Sequence, residues 1–155
     1  MIDNGREDRL ENDLFFVCAV IEHIGRSTKN KRGEVVMKLG ETEISRLLEL
    51  AGVLHCEPIE VTSGRLTERC GLNKGDFDNV ALCKYTVPTH FDIAKVYKRL
   101  VIDLANAQNI TPLNALTKVY TSWISEKIDD YNSSMYFENP QYLYASYVAG
   151  KAIAD

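Results

Sequence analysis

The most regular segment of the chain is THFDIAKVYKRLVIDLANAQ, residues 89–108. Its apolar residues recur at intervals of three and four, which places them on one face of a helix. They are Ile93, Val96, Tyr97, Leu100, Val101 and Leu104. Thr89 or His90 begins this predicted helix, and Asp92 lies near its positive N-terminal end.

The segments that follow also carry helix signals. Asn109-Ile110 interrupts the helix, Thr111 can cap the next one, and Pro112 suits its first position, where no N–H is needed. Apolar residues at helical spacing then continue from Leu113 to Ile128, which predicts one further helix packed antiparallel to the first. Asn139-Pro140 repeats the cap-and-proline signal for a last helix.

Upstream, the run Leu14–Ile21 is apolar on every face, which predicts a central buried helix. A buried strand over the same residues is the alternative, and helix is favoured because the pattern continues through Glu22 to Ile24. Residues 1–10 are polar and lack this periodicity, so we expect a flexible N-terminal tail. Gly25 and residues 26–33 predict a loop after the central helix.

The middle of the chain predicts short helices. One covers Glu34–Leu39 and ends at a left-handed Gly40, and an apolar stripe marks another over Ile44–Leu54. A third runs from about Arg65 to Cys70, with Gly71 as its cap. Residues 73–88 predict an irregular loop or a lone strand. The expected fold is therefore all-α, a single compact bundle of six or seven helices over residues 11–155.

The composition of the chain restricts the classes of partner and cofactor that we expect. A chain of 155 residues with 45% apolar residues can bury a core without a metal or disulfide, and its net charge of −4 argues against a nucleic-acid partner. The four cysteines share no CxxC spacing, so we expect reduced thiols, no metal site and no cofactor. We found no signal peptide or membrane-spanning run, which predicts a cytoplasmic protein without a membrane partner.

Aromatic residues are concentrated near the C-terminus, where six of the eight tyrosines follow residue 119. Tyrosine combines a large contact area with a polar tip, which suits a protein-binding surface. We therefore expect a protein partner or self-association through Tyr136, Tyr142, Tyr144 and Tyr147. The alternative is that these rings close the core beneath the last helix.

A basic segment supplies the second candidate surface. Arg26, Lys29, Lys31 and Arg32 place four cations within seven residues, and such a cluster can attract phosphate or an acidic partner. A solvated loop between helices would have the same composition. We expect these cations to assist the aromatic surface by tuning its encounter rate and salt dependence.

Together these features predict a small, soluble, non-enzymatic binding or regulatory protein. The alternative is a helical small-ligand-binding protein or an enzyme, with a pocket near residues 76–92. Asp78, Cys83, Tyr85 and His90 would line that pocket. A cysteine beside a neutral histidine can act as a nucleophile, but no catalytic motif fixes such a pair here.

Overall fold

The computed structural model describes residues 4–153, and within that range it contains eight α-helices and no strand. They are α1 (Asn4–Thr28), α2 (Arg32–Leu54), α3 (Ile59–Arg69), α4 (Asn79–Leu82), α5 (His90–Gln108), α6 (Pro112–Tyr120), α7 (Trp123–Asp129) and α8 (Pro140–Ala149). A short 3-10 helix covers Met135–Phe137. The all-α prediction is confirmed, with more helices than the six or seven expected.

The central helix is α1, which packs against α2, α3 and α5. Its apolar stretch forms the middle of the core and is buried, as the sequence predicted, except for the half-buried Phe15 and Phe16. α5 covers α1 and in turn supports α6 and α8. The two most strongly patterned segments of the sequence are therefore the two helices around which the others pack.

Both ends of α1 differ from the prediction. Residues 4–10 already belong to α1, which therefore begins before the expected start of the fold near Glu11, and residues 1–3 lie outside the described residues. At the other end the helix continues past Gly25 and ends at Thr28, where Lys29 adopts a left-handed conformation (φ 59°). The Asn30 N–H then donates to the Gly25 carbonyl at 3.1 Å, which closes a Schellman-type cap. The connecting loop therefore covers only residues 29–31, whereas the sequence predicted a loop over residues 26–33.

The glycine signals of the middle segment are largely confirmed. Gly40 interrupts α2 with a positive φ of 79°, but its ψ of 166° is extended rather than left-handed helical. Gly71 has a φ of 65° just beyond α3, as expected of a cap. α3 itself begins at Ile59 rather than near Arg65, because Pro58 ends the preceding turn and serves as its N-cap.

Residues 73–88 form an irregular loop around the four-residue helix α4, so the loop alternative holds and the lone strand is wrong for these residues. Asp78 caps α4 by accepting a hydrogen bond from the Ala81 N–H at 3.0 Å. The beginning of the loop is tied to the α1–α2 turn. Gly75 N–H donates to the Thr28 carbonyl and Phe77 N–H to the Lys29 carbonyl, each at 2.8 Å.

Three helix starts follow the sequence closely. Thr89 and Asp92 form a reciprocal capping box at the start of α5, with hydrogen bonds of 3.0 and 2.9 Å. Thr111 caps α6, Asn139 caps α8, and a proline occupies the first turn of each.

The prediction of a single helix over residues 113–128 is wrong. Thr121 and Ser122 break it into α6 and α7.

None of the helices in residues 4–153 combines the length and the apolar character that crossing a membrane requires.

Candidate functional site

A fully buried arginine marks the polar centre of the molecule. Arg32 is 0% exposed, and its side chain runs across α1 at Gly25. A Cβ atom at position 25 would lie 2.6 Å from Nε and 2.8 Å from Cζ of Arg32. The Arg32 side chain therefore occupies the space beside the Gly25 backbone, and any side chain at position 25 would overlap with it.

The partner of Arg32 is Glu22, which is also buried. Arg32 Nε donates to Glu22 Oε1 at 3.0 Å and Nη2 donates to Oε2 at 2.9 Å, a bidentate pair. Arg26 Nε adds a bond to Oε2 at 2.8 Å, and the Tyr131 hydroxyl donates to the same oxygen. Burial alone would raise the pKa of Glu22, but the charges and hydrogen bonds of Arg32, and then of Arg26, lower it.

Asn79 extends this network toward a second buried carboxyl group. Its Oδ1 accepts from Arg32 Nη2 at 3.0 Å, and its Nδ2 donates to the Asp129 carbonyl at 2.9 Å. The Asp129 carboxyl accepts from the Tyr97 hydroxyl at 2.6 Å, and Ser125 Oγ lies 3.4 Å away. We call these residues, together with the pair described above, the buried polar cluster. Its members are Glu22, Arg26, Arg32, Asn79, Tyr97, Ser125, Asp129 and Tyr131.

The two carboxyl groups of the cluster differ in their protonation. Burial, and then the charge of Glu22, raises the pKa of Asp129 from 3.8 to about 7. The charge of Arg32 and the hydrogen bond from Tyr97 oppose this rise. Since Arg32 is already paired with Glu22, Asp129 exchanges its proton near neutral pH. Groups with such shifted pKa values are concentrated at functional sites, although structural networks also produce them.

A cleft of about 640 Å³ lies directly over Asp129 and Ser125. It exists because the chain turns at Thr121-Ser122 instead of continuing as one helix. Its lining residues are Lys31, Gly33, Glu34, Met37, Phe77, Tyr120, Thr121, Ser122, Trp123, Ser125, Glu126 and Asp129. We call it the α6–α7 cleft.

Close backbone packing shapes one wall of the α6–α7 cleft. A Cβ atom at Gly33 would lie 2.6 Å from the Tyr120 carbonyl oxygen, so the start of α2 touches the end of α6 at the backbone. Phe77 also lines the cleft, and its backbone N–H donates to the Lys29 carbonyl at 2.8 Å. Backbone contacts thus position Gly33 and Phe77 at the cleft.

The charges of the α6–α7 cleft are mainly negative. Glu34, Glu126 and Asp129 face one cation, Lys31, whose Nζ lies 3.3 Å from a Glu126 oxygen. Phe77 and Trp123 supply aromatic surface beside these carboxyl groups. An arrangement of carboxylates and aromatic faces can bind an organic cation through charge and cation–π attraction.

Two of the four cations of the predicted basic surface point inward. Arg32 belongs to the core, and Arg26 donates to the Pro88 carbonyl at 2.7 Å and to the Tyr131 hydroxyl at 3.0 Å. Lys29 and Lys31 remain near the surface, and each lies within 3.4 Å of an acidic side chain. A buried arginine cannot contact a partner, so Arg32 is not part of a partner-binding surface.

The four tyrosines of the predicted aromatic surface are half-buried and pack against the core. The Tyr142 hydroxyl donates to the Ile153 carbonyl at 3.2 Å, and Tyr136 packs edge-on against Tyr131 and Phe137. Phe137 itself is 67% exposed. Each ring thus packs on the core and still reaches the surface.

The predicted pocket near residues 76–92 does not assemble from its four residues. Asp78 caps α4, and Tyr85 is 69% exposed. The Cys83 thiol donates to the Tyr85 carbonyl at 3.4 Å, whereas His90 lies against His23 of α1. No hydrogen bond within residues 8–153 joins Cys83 to His90, so the thiol has no base among its observed partners.

Sequence reasoning missed most of the buried polar cluster. Glu22 served only as evidence for a helix, and Ser125 and Asp129 were not singled out. One signal was present, because Glu22 directly follows the apolar run Leu14–Ile21 within the predicted buried helix and therefore needed a buried partner. The identity of that partner depended on the geometry of the α1–α2 turn, which the predicted loop over residues 26–33 did not specify.

Comparison of the chain with protein-family models, with curated proteins and with solved structures finds no match. Within the described residues, no three histidine, cysteine or acidic side chains come together in a way that could hold a metal ion.

Proposed function

We propose that this protein binds a small organic cation in the α6–α7 cleft, with Asp129 as the buried anchor for its charged group. The observation that carries the proposal is the position of Asp129, a buried carboxyl group at the wall of a cleft large enough for a small molecule. A volume of about 640 Å³ lies within the range of ligand pockets.

Charge favours a cation over an anion. The N-terminal end of α2 contributes positive partial charge to the cleft, but Glu34 in its first turn and the nearby Asp129 offset it. Lys31 is engaged by Glu126 at 3.3 Å. An ammonium group entering the cleft would meet two or three carboxyl groups, whereas a carboxylate would be repelled by them.

Aromatic side chains favour a ligand with a flat or apolar part. Phe77 and Trp123 line the cleft together with the exposed side chain of Met37. Such surfaces gain free energy by burial against an apolar ligand, and an aromatic face also attracts a cation. The hydroxyl groups of Thr121 and Ser122 can orient the polar end of the molecule.

The chemistry of Asp129 adds a pH dependence. Its pKa is raised to about 7, so a fraction of the protein carries a neutral carboxyl group at neutral pH. A bound ammonium group stabilises the carboxylate and lowers this pKa, so binding releases a proton. Affinity is therefore expected to increase as pH rises through 7 and to level off above it.

Matched amine and alcohol probes test the proposal. Tyramine and benzylamine are compared with tyrosol and benzyl alcohol by thermal shift and calorimetry at pH 6 and pH 8. At ten times Kd, binding stabilises the native state by about 1.4 kcal/mol, which raises Tm by about 3–6 °C for a chain of this size. The amines should stabilise the protein, and more strongly at pH 8, whereas the alcohols should not.

Variants locate the binding. Glu126→Gln and Asp129→Asn should weaken the response to the amines, while Glu68→Gln, an exposed residue of α3 outside the cleft, should leave it unchanged. The proposal fails if amines and alcohols act alike, if neither acts, or if the three variants respond equally.

Association through the C-terminal aromatic segment is the second candidate function. The exposed Phe137, which lies beside the half-buried Tyr136, favours it. Light scattering over a concentration series tests self-association, and pull-down with a defined partner would follow. Phe137→Ser should reduce a measured association, and Val53→Ser, an equally exposed apolar residue of α2, should not. A monomer at every concentration excludes self-association.

A further inference from the structure

Two histidines face each other where α1 meets the start of α5. The ring centroids of His23 and His90 lie 5.7 Å apart, and the rings are nearly perpendicular, at 81°. The His90 ring also lies 4.1 Å from that of Phe91, which stacks on Phe15 of α1. The pair is thus part of the packed contact between the two central helices, although both rings are half-buried.

Each ring has a buried nitrogen without a hydrogen-bond partner among the described residues. These atoms are Nδ1 of His23 and Nε2 of His90. In a neutral imidazole one nitrogen is only an acceptor, which is tolerated without a partner more readily than a donor. In an imidazolium both nitrogens carry protons, so protonation would leave a buried donor unpaired.

The surroundings of His90 also oppose a positive charge. α1 contributes His23 and Arg26, whose guanidinium donates to the Pro88 carbonyl at 2.7 Å, and the start of α5 adds the positive end of that helix. Burial, and then the charges of His23 and Arg26, lower the pKa of His90.

Acidic groups near the pair do not reverse this balance. Glu22 of α1 is committed to its two arginines, and Glu60 of α3 acts on His90 only through its charge. Asp92 of α5 is held in the capping box with Thr89. Even with these acidic groups nearby, the pKa of His90 stays below the ordinary histidine value of 6.5.

We propose that the His23–His90 pair is an acid-sensitive latch that holds the start of α5, together with residues 86–89, against α1. Protonation of His90 brings a charge and an unpaired donor into the contact, and the segment relieves both by moving toward water. The same segment carries the Pro88 carbonyl that binds Arg26. Opening the latch therefore also exposes the edge of the buried polar cluster at Arg26 and Tyr131.

The direction of the pH effect follows from the lowered pKa. His90 contributes stability that is complete above 6.5, the ordinary histidine value, and that is lost as pH falls toward its folded-state pKa. The stability contributed by Asp129 has the opposite pH dependence, since the pKa of Asp129 is raised and its contribution decreases as pH rises. The test therefore needs a local measurement in addition to global stability.

Hydrogen exchange of the backbone amides in residues 86–93, corrected for the intrinsic rate, supplies that measurement at pH 7.5 and 5.5. Local opening of the wild type should increase several-fold at pH 5.5, while the middle of α1 remains protected. His90→Gln should abolish the increase, and His55→Gln, at an exposed histidine outside the pair, should preserve it.

An NMR titration of the wild-type histidine rings keeps the proposal open to refutation should either variant fail to fold. The His90 ring should titrate with a midpoint below 6.5. A midpoint at or above that value, an unchanged pH response in His90→Gln, or uniform opening of all helices would each overturn the latch. None of these results depends on ligand binding in the α6–α7 cleft.

Discussion

Replacing Gly25 with alanine should destabilise the protein, although alanine is the better helix former. Gly25 lies within α1, and a Cβ atom there would enter the space of the Arg32 side chain, 2.6 Å from Nε. Arg32 would have to move away from Glu22, to which it donates at 3.0 and 2.9 Å. The substitution thus perturbs the buried ion pair without changing either of its residues.

The size of the effect follows from two opposing contributions. Alanine in place of glycine in a helix stabilises by about 1 kcal/mol. Separating a buried ion pair costs about 3–5 kcal/mol, because each charge is left without its partner. The net loss is about 2–4 kcal/mol, and Tm should decrease by about 5–15 °C for a chain of this size.

Urea denaturation followed by circular dichroism at 222 nm measures the change. Gly64→Ala is the matched control, since Gly64 lies in α3 and a Cβ there meets nothing within 4 Å. It should stabilise by up to about 1 kcal/mol.

A second background isolates the clash with the arginine stem. In a Glu22→Gln/Arg32→Ala protein, Gly25→Ala should become stabilising, because the stem it displaces has gone. Equal stability of Gly25→Ala and the wild type, or an equal loss in both backgrounds, would refute the reasoning.

Three further predictions concern protonation and caps. Asp129 contributes stability that is complete below pH 3.8 and is lost as pH rises through about 7, so Asp129→Asn should remove this loss at pH 8. Urea midpoints from pH 4 to 8 should then vary less in the variant, and an unchanged profile would contradict this. Thr89→Ala removes the capping box of α5 and should cost about 1 kcal/mol in the same assay, with retained stability as the contrary result. Lys29→Gly should stabilise by about 1 kcal/mol, since Lys29 has a φ of 59°, and a loss of stability would show that its ion pair with Asp78 outweighs the relief.

The helices that the sequence predicted well are those with a local signal at the start and a regular apolar face. α5 has both, in the Thr89–Asp92 capping box and the repeat that ends at Leu104. α6 and α8 begin at a capping side chain followed by proline. Such interactions lie within a few residues of one another, so they are visible without knowledge of the tertiary structure.

The break between α6 and α7 left no comparable trace. Thr121-Ser122 contains neither glycine nor proline, and the apolar repeat continues across it from Tyr120 to Ile124. The start of α2 packs at this point, where Gly33 meets the Tyr120 carbonyl. That contact joins residues far apart in sequence, so the cleft that results could not be predicted from local patterns.

The buried polar cluster was hidden for a related reason. Arg26 and Arg32 stand in a polar stretch that resembles a solvated loop, and a charged residue in such a stretch is usually exposed. Their inward orientation requires Glu22 and Tyr131 as partners, and Tyr131 is about a hundred residues away in sequence. Only the assembled helices bring these groups together.

The passage of Arg32 across Gly25 also restricts how the first two helices can align. If α1 slid by one helical turn, about 5.4 Å, the arginine stem would meet Ile21 or Thr28 instead of a bare backbone. The same slide would separate the guanidinium from Glu22 inside the core. Misaligned hairpins are thus penalised by steric overlap and by charge together, which leaves a single register for this pair of helices.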